Sequence, residues 1–152
     1  DRSRCRCTEG QITRYLQKVS GPMLDRIDIC VEASPITYGD IKSSGNNESS
    51  REIRARVEQA RKIQRERFAG ENVRCNGEMS GRHIRKFCGL GREEEKFMEE
   101  IFEKLALSAR MHDRILKVAR TTADLAEEEK IRLADLCEAV SYVKSRDKFW
   151  GN

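Results

Sequence analysis

The sequence lacks any run of about 18 apolar residues, which excludes a membrane-spanning helix. Its first ten residues, DRSRCRCTEG, lack the apolar stretch of a secretory signal. They also lack an initiator Met and open among charges, so the chain reads as a piece of a longer protein. Nowhere does G-x-x-x-x-G-K-[ST] occur, and no apolar strand ends in paired acids. The phosphate loop and magnesium carboxylates of an ATP hydrolase are therefore not supplied by these residues. The nearest glycine cluster, CGLGREEE, has no Lys-Ser/Thr and leads into acids that repel phosphate. Proline occurs only twice in 152 residues, and charged residues reach 37% against 38% hydrophobic. That balance suits one helical, soluble domain with much solvated surface, with or without part of another.

Charge is present in blocks. The net charge of +4 is too mild to identify a nucleic-acid binder. Residues 51–67, however, hold seven Arg/Lys against three Glu, and residues 108–121 hold four against one Asp. Residues 92–104 reverse this, with six Glu against three Arg/Lys. Such segregation steers polyanions or neighbouring subunits, or else forms solvated faces of mixed charge.

Six cysteines occur without a secretory signal, and Cys30 and Cys137 sit in apolar runs where a small thiol fits. Cys5 and Cys7 differ, since two thiolates so spaced can share one metal. Zinc takes four ligands, so this pair is half a site. Cys75, His83 and Cys88 have no recognised spacing, and reduced cysteines are favoured over a metal site complete within the chain.

Periodicity gives a short strand-bearing piece followed by helices. Gln11–Val19 has helical spacing and stops at Ser20-Gly21-Pro22. Ile27, Ile29 and Val31 alternate, predicting a strand over Ile27–Ala33. The Ser-, Gly- and Asn-rich residues 34–48 read as a loop or linker. Ser49 and Glu52 form a capping box that opens a helix, with Ile53, Val57 and Ala60 as its buried stripe. Further helices are expected over Ser80–Phe87, over Glu93–Leu105 and from Ser108 to about Ala123. The Glu93–Leu105 helix would turn Phe97, Met98, Ile101, Phe102 and Leu105 inward. A last helix runs over Leu133–Ser145, built on Leu133, Leu136, Cys137 and Val140.

Two stretches carry more charge than packing needs. In the helix after Ser108, Met111, Ile115, Val118, Ala119 and Thr122 share one face. Arg110, Arg114 and Lys117 fall together on another, as a solvated face balanced by acids or as an anion site near outward-pointing amides. In SGPMLDRIDIC, Arg26 stands between Asp25 and Asp28 at the start of the expected strand.

The segments CRCTEGQITRYLQKVSGPMLDRIDICVEA, SSREIRARVEQARKIQRERF and LSARMHDRILKVARTTADL resemble the C-terminal part of magnesium-chelatase-like AAA+ proteins, in particular the competence-related ComM group. The likeness runs from Cys5 to about Tyr142. It departs at Met23, where Leu is usual, and at Thr122, where Ile is common.

The resemblance implies a mainly α chain: the end of an AAA+ α/β core with one short strand (residues 1–33), a linker (34–48) and a helical lid (49–152). It implies that Arg26 is an arginine finger reaching a neighbour's ATP, unless it is a salt bridge capping the strand. It makes Arg110 the sensor-2 arginine. Arg114 and Lys117 extend the basic face or line a subunit contact. The parent protein would be a cytoplasmic, ring-forming ATPase, hexameric, using ATP and Mg2+ and acting on DNA as a branch-migration helicase. The residues present would not hydrolyse ATP alone. Zinc would need further ligands upstream beside Cys5 and Cys7. A magnesium-chelatase ATPase subunit and a non-enzymatic helical DNA-binding module are the alternatives.

Overall fold

The computed structural model describes residues 5–24, 26–42 and 47–150. The chain divides into two compact units, Asp1–Asn47 with Tyr142–Asn152, and Glu48–Ser141. Both are helical, and no helix among the described residues is long and apolar enough to cross a membrane.

In the smaller unit, α1 spans Glu9–Leu16 and α2 is the single turn Gly21–Leu24. A capping box opens α1: the Thr8 hydroxyl accepts from the Gln11 amide while the Gln11 side chain accepts from the Thr8 amide. Pro22 sits in the first turn of α2, where its missing N–H costs nothing. The strand expected over Ile27–Ala33 does not form; residues 27–37 have neither helix nor strand. Ile29 and Val31 are exposed. Alternation marks a possible strand face, but a strand exists only by pairing, and the described residues contain no second strand. Within the expected linker, Tyr38–Lys42 forms a short helix, α3.

The larger unit holds α4 (Ser50–Arg67), a 3-10 turn (Asn76–Glu78), α5 (Gly81–Phe87), α6 (Arg92–Lys104), α7 (Ala109–Leu125) and the first half of α8 (Leu133–Trp150). The Ser49–Glu52 capping box opens α4 as its sequence predicts. Helix α7 is the axis on which α4, α5 and the 3-10 turn pack. Ala119 and Ala123 are fully buried in it, and their small side chains let backbones approach closely. Ile115 and Leu136 are among the largest fully buried side chains, each stabilising by about 1.5–3 kcal/mol. Phe68 and Phe87 meet edge to face, 5.3 Å between ring centres.

Helices α6 and α7 both end in paired reverse bonds. The Leu107 amide donates to Phe102 O and the Glu128 amide to Ala123 O. These caps place Ala106 (φ 46) and Glu127 (φ 58) in the left-handed region, at a cost of roughly 1–2 kcal/mol each relative to glycine.

Three expected faces differ from those observed. In α4 only Ala60 and Gln64 are buried, while Ile53 and Val57 are exposed, because nothing among the described residues covers the helix's first two turns. In α6 Met98 and Ile101 are buried, but Phe102 is exposed. In α8 Leu136 and Val140 are buried, but Cys137 is exposed.

Candidate functional site

The Ser108 hydroxyl accepts from the Met111 amide and fixes the start of α7. Beyond it the buried stripe is wider than periodicity suggests. It takes in Leu116, Arg120, Ala123 and Asp124 beside Met111, Ile115 and Ala119, while Val118 and Thr122 are half-buried. The helix packs on several sides at once, which a one-faced pattern does not anticipate.

This packing separates the three aligned cations. Arg110 is exposed in the first turn, and no hydrogen bond or ion pair among the described residues engages its side chain. Arg114 is buried at 8% exposure. Lys117 is half-buried, and its Nζ donates to Gly77 O at 3.1 Å. The expected basic face is thus one outward arginine, one buried arginine and one lysine bonded to backbone.

One turn further lies a cluster the sequence reading missed. Asp124, with no exposed surface, is its centre. Its Oδ2 accepts from Arg67 Nη1 at 2.7 Å and Asn76 Nδ2 at 2.8 Å. Its Oδ1 accepts from the second Arg67 amino group and from Arg120 Nε at 3.1 Å. The remaining Arg120 amino groups donate to Glu129 O at 2.8 Å and Glu128 O at 2.6 Å. Asn76 Nδ2 also donates to the Thr121 hydroxyl, and the Asn76 amide donates to Gln64 Oε1. Burial pushes the Arg120 guanidinium below its ordinary value, and Asp124 opposes the shift.

Each Asp124 oxygen already accepts two donors. The cluster therefore binds α4, the 3-10 turn, α7 and the approach to α8 together, and offers no open ligand position. Its only local signal is Arg120 and Asp124 four residues apart.

Cys88 lies buried beside the cluster, and burial pushes its thiol up to about 11, chiefly by disfavouring the thiolate. At neutral pH, Cys5, Cys7 and Cys137, all exposed, should label rapidly with a thiol reagent, and Cys88 only on unfolding. Because its folded value lies above the ordinary 9.0, its contribution to stability is intact below that pH and lost as pH rises to about 11. Rapid labelling of Cys88 in the folded chain, read by mass spectrometry, would contradict its burial.

Arg26 is exposed, two residues after the buried Leu24, and its amide donates to Met23 O. Asp25 lies outside the described residues, and Asp28 is exposed. Cys5 and Cys7 are both exposed and adjacent, and the Cys5 sulfur pushes the Cys7 thiol up through a hydrogen bond. Among the described residues no group of three or more His, Cys, Asp or Glu converges as a metal cage.

On its other side α7 borders an open groove of about 980 Å³, shared with α5 and α6. Ile84, Met98 and Leu116 form its buried floor. Phe102 stands at its wall, edge to face with His112 at 6.1 Å.

Residues 47–143 match the family model of the magnesium chelatase subunit ChlI C-terminal region, and residues 1–41 match that of magnesium chelatase subunit ChlI. The chain is 39% identical over 138 residues to the competence protein ComM of Haemophilus influenzae, covering 90% of this chain and 26% of that protein. It is 40% identical over 138 residues to the uncharacterized protein YifB of Escherichia coli, again covering 90% and 26%. It is 32% identical over 138 residues to the uncharacterized protein Rv2897c of Mycobacterium tuberculosis, covering 91% and 27%. The chain thus spans about a quarter of the length of these relatives. With both family models matched in order along it and a helical body around α7, the chain belongs to the magnesium-chelatase-like AAA+ family, in its ComM group.

Proposed function

We propose that this chain is the lid-bearing part of a ring-forming ATPase that moves DNA. In this reading residues up to about Ala33 close the core, and the helices from Ser49 onward form the lid. Arg26 is the finger offered to the neighbouring subunit's nucleotide, and Arg110 is the sensor arginine. The observation that carries the reading is the fate of the cations on α7. Arg114 is buried, Lys117 is bonded to a carbonyl and Arg120 is spent in the buried cluster, which leaves Arg110 facing outward. Arg26 is likewise exposed.

These residues suit part of an ATP site. Two exposed guanidiniums can meet phosphate oxygens bidentately and never deprotonate. A phosphate loop and magnesium carboxylates are not among them, so other segments of the parent protein must cradle ATP and its Mg2+. Bound there, the nucleotide supplies a γ-phosphoryl group whose charge the arginines offset. Cys5 and Cys7 fit zinc as two sulfur donors and require two more ligands from elsewhere.

The test is the ATPase rate of the parent protein with and without branched DNA. A severalfold stimulation is expected. Stimulation by a porphyrin-handling partner, with no response to DNA, would assign the motor to metal insertion instead. Tight, strongly salt-dependent DNA binding with no ATPase would make it a binding module.

A further inference from the structure

The α5–α6–α7 groove is apolar below and acidic at its lip. Glu95, Glu99 and Glu103, spaced four apart along α6, line one edge, and Asp113 stands on the α7 side. The three glutamates are exposed, with no ion pair to any described residue. The only Lys or Arg lining the groove is Arg85. A fitting occupant has two or three apolar side chains at helical spacing, flanked by cations.

The chain carries such a segment. On the first half of α4, Ile53 and Val57 lie one turn apart and remain 43% and 46% exposed. They are flanked by Arg54 and Arg61, both exposed and outside any ion pair with a described residue, although Arg61 lies near enough to Glu78 to help lower its carboxyl. The stripe continues the face that Ala60 and Gln64 bury lower down, and among the described residues this upper part has no counterpart.

This helix cannot fill the groove of its own chain. Its second half is pinned on α7 by Ala60, Gln64 and the Arg67–Asp124 pair, and no α4 residue lines the groove. We infer that the outward face of α4, from Ile53 to Arg61, docks in the α5–α6–α7 groove of a second copy, Ile53 and Val57 on its apolar floor, Arg54 and the outward-facing Arg61 against its glutamates. This is recognition of an amphipathic helix by a groove, with charge complementarity setting partner and orientation.

The two surfaces are different patches, so the contact runs head to tail. Every copy offers one helix and one groove, and such a contact closes into a ring or extends as a filament. The inference rests on the ring reading above and names surfaces by which the helical unit would take part in it. Two anchoring residues make a contact smaller than a standard interface of about 800 Å² per partner, so the isolated chain should associate weakly.

Sedimentation velocity on the 152-residue chain tests this. The weight-average mass should rise with concentration over about 10–500 µM and fall back in about 1 M salt, where exposed rim charges are screened. Val57→Glu should leave a monomer. Two charge-reversed variants give the decisive arm: Glu99→Lys with Glu103→Lys, and Arg54→Glu with Arg61→Glu. All these side chains are exposed, so circular dichroism should show both variants folded.

Each variant alone should stay monomeric, because like charges then meet at the contact. Mixed in equal amounts they should associate again, since each helix now finds a groove of opposite sign. A wild-type chain that stays monomeric throughout would overturn the inference. So would association unaffected by the reversals, or a mixture that does not recover it. Failure of the ring reading would show separately, as a parent protein that stays monomeric with ATP. Rings of that parent unchanged by the reversals would leave that reading standing and remove this contact.

Discussion

Asp124→Ala should cost the larger unit about 3–5 kcal/mol, the range for breaking a buried ion pair by removing one partner. The carboxylate has no solvent contact and neutralises two guanidiniums that are themselves largely buried, Arg67 at 13% and Arg120 at 3% side-chain exposure. Deleting it leaves both charges facing each other across a cavity, with Asn76 short of an acceptor. A domain of this size is stable by about 5–15 kcal/mol, so the loss is a large share of the total. The melting temperature should fall by roughly 15–30 °C. Asp124→Asn keeps the shape and some hydrogen bonds but not the charge, and should fall between. Replacing Arg120 together with Asp124 by apolar residues of similar size should recover part of the loss, because the buried charge goes with its partner. Thermal unfolding followed by circular dichroism decides the matter. A change under about 1 kcal/mol for Asp124→Ala would mean that water already solvates the cluster.

That cluster also marks where sequence reading stops. Arg120 and Asp124 sit four residues apart, the spacing of an ordinary surface pair worth a few tenths of a kcal/mol on an isolated helix. What makes the pair a structural centre is Arg67 and Asn76, 57 and 48 positions away, brought in by tertiary packing. No local pattern encodes them. Caps were legible because their physics is local: Ser49 with Glu52 and Ser108 with Met111 close within three residues. The Thr8–Gln11 box was equally readable and places the start of α1 before Gln11.

Faces were only half legible. The stripe Ile53, Val57, Ala60 is a true helical face, but periodicity says which side is apolar, not how much of it finds a partner. For the same reason Ile27, Ile29 and Val31 alternate without becoming a strand. At the candidate site, the sequence singled out the cations of α7 as a group. Only burial distinguishes Arg110, which faces outward, from Arg114 and Lys117.

The largest expected effect on activity belongs to Arg26. Removing an arginine finger lowers phosphoryl-transfer turnover by about 10³ or more, because the charge developing on the transferred phosphoryl then loses a guanidinium that the remaining cations do not replace. In the parent protein, Arg26→Ala should therefore abolish ATPase while sparing ATP binding and folding. The side chain is exposed, so little packing goes with it. Acting across a subunit boundary, the variant should poison its neighbours: in mixed rings, the turnover of each wild-type site should depend on who sits beside it. Arg110→Ala should also slow turnover, with more of the loss in nucleotide affinity, since a sensor arginine touches ATP in the ground state as well. A salt bridge capping the chain at this point predicts otherwise. Its loss would lower the melting temperature, and activity in mixed rings would fall in simple proportion to mutant content. Near-normal ATPase in a folded, assembled Arg26→Ala ring would remove the finger from the proposal and leave Arg110 as the chain's one contact with nucleotide.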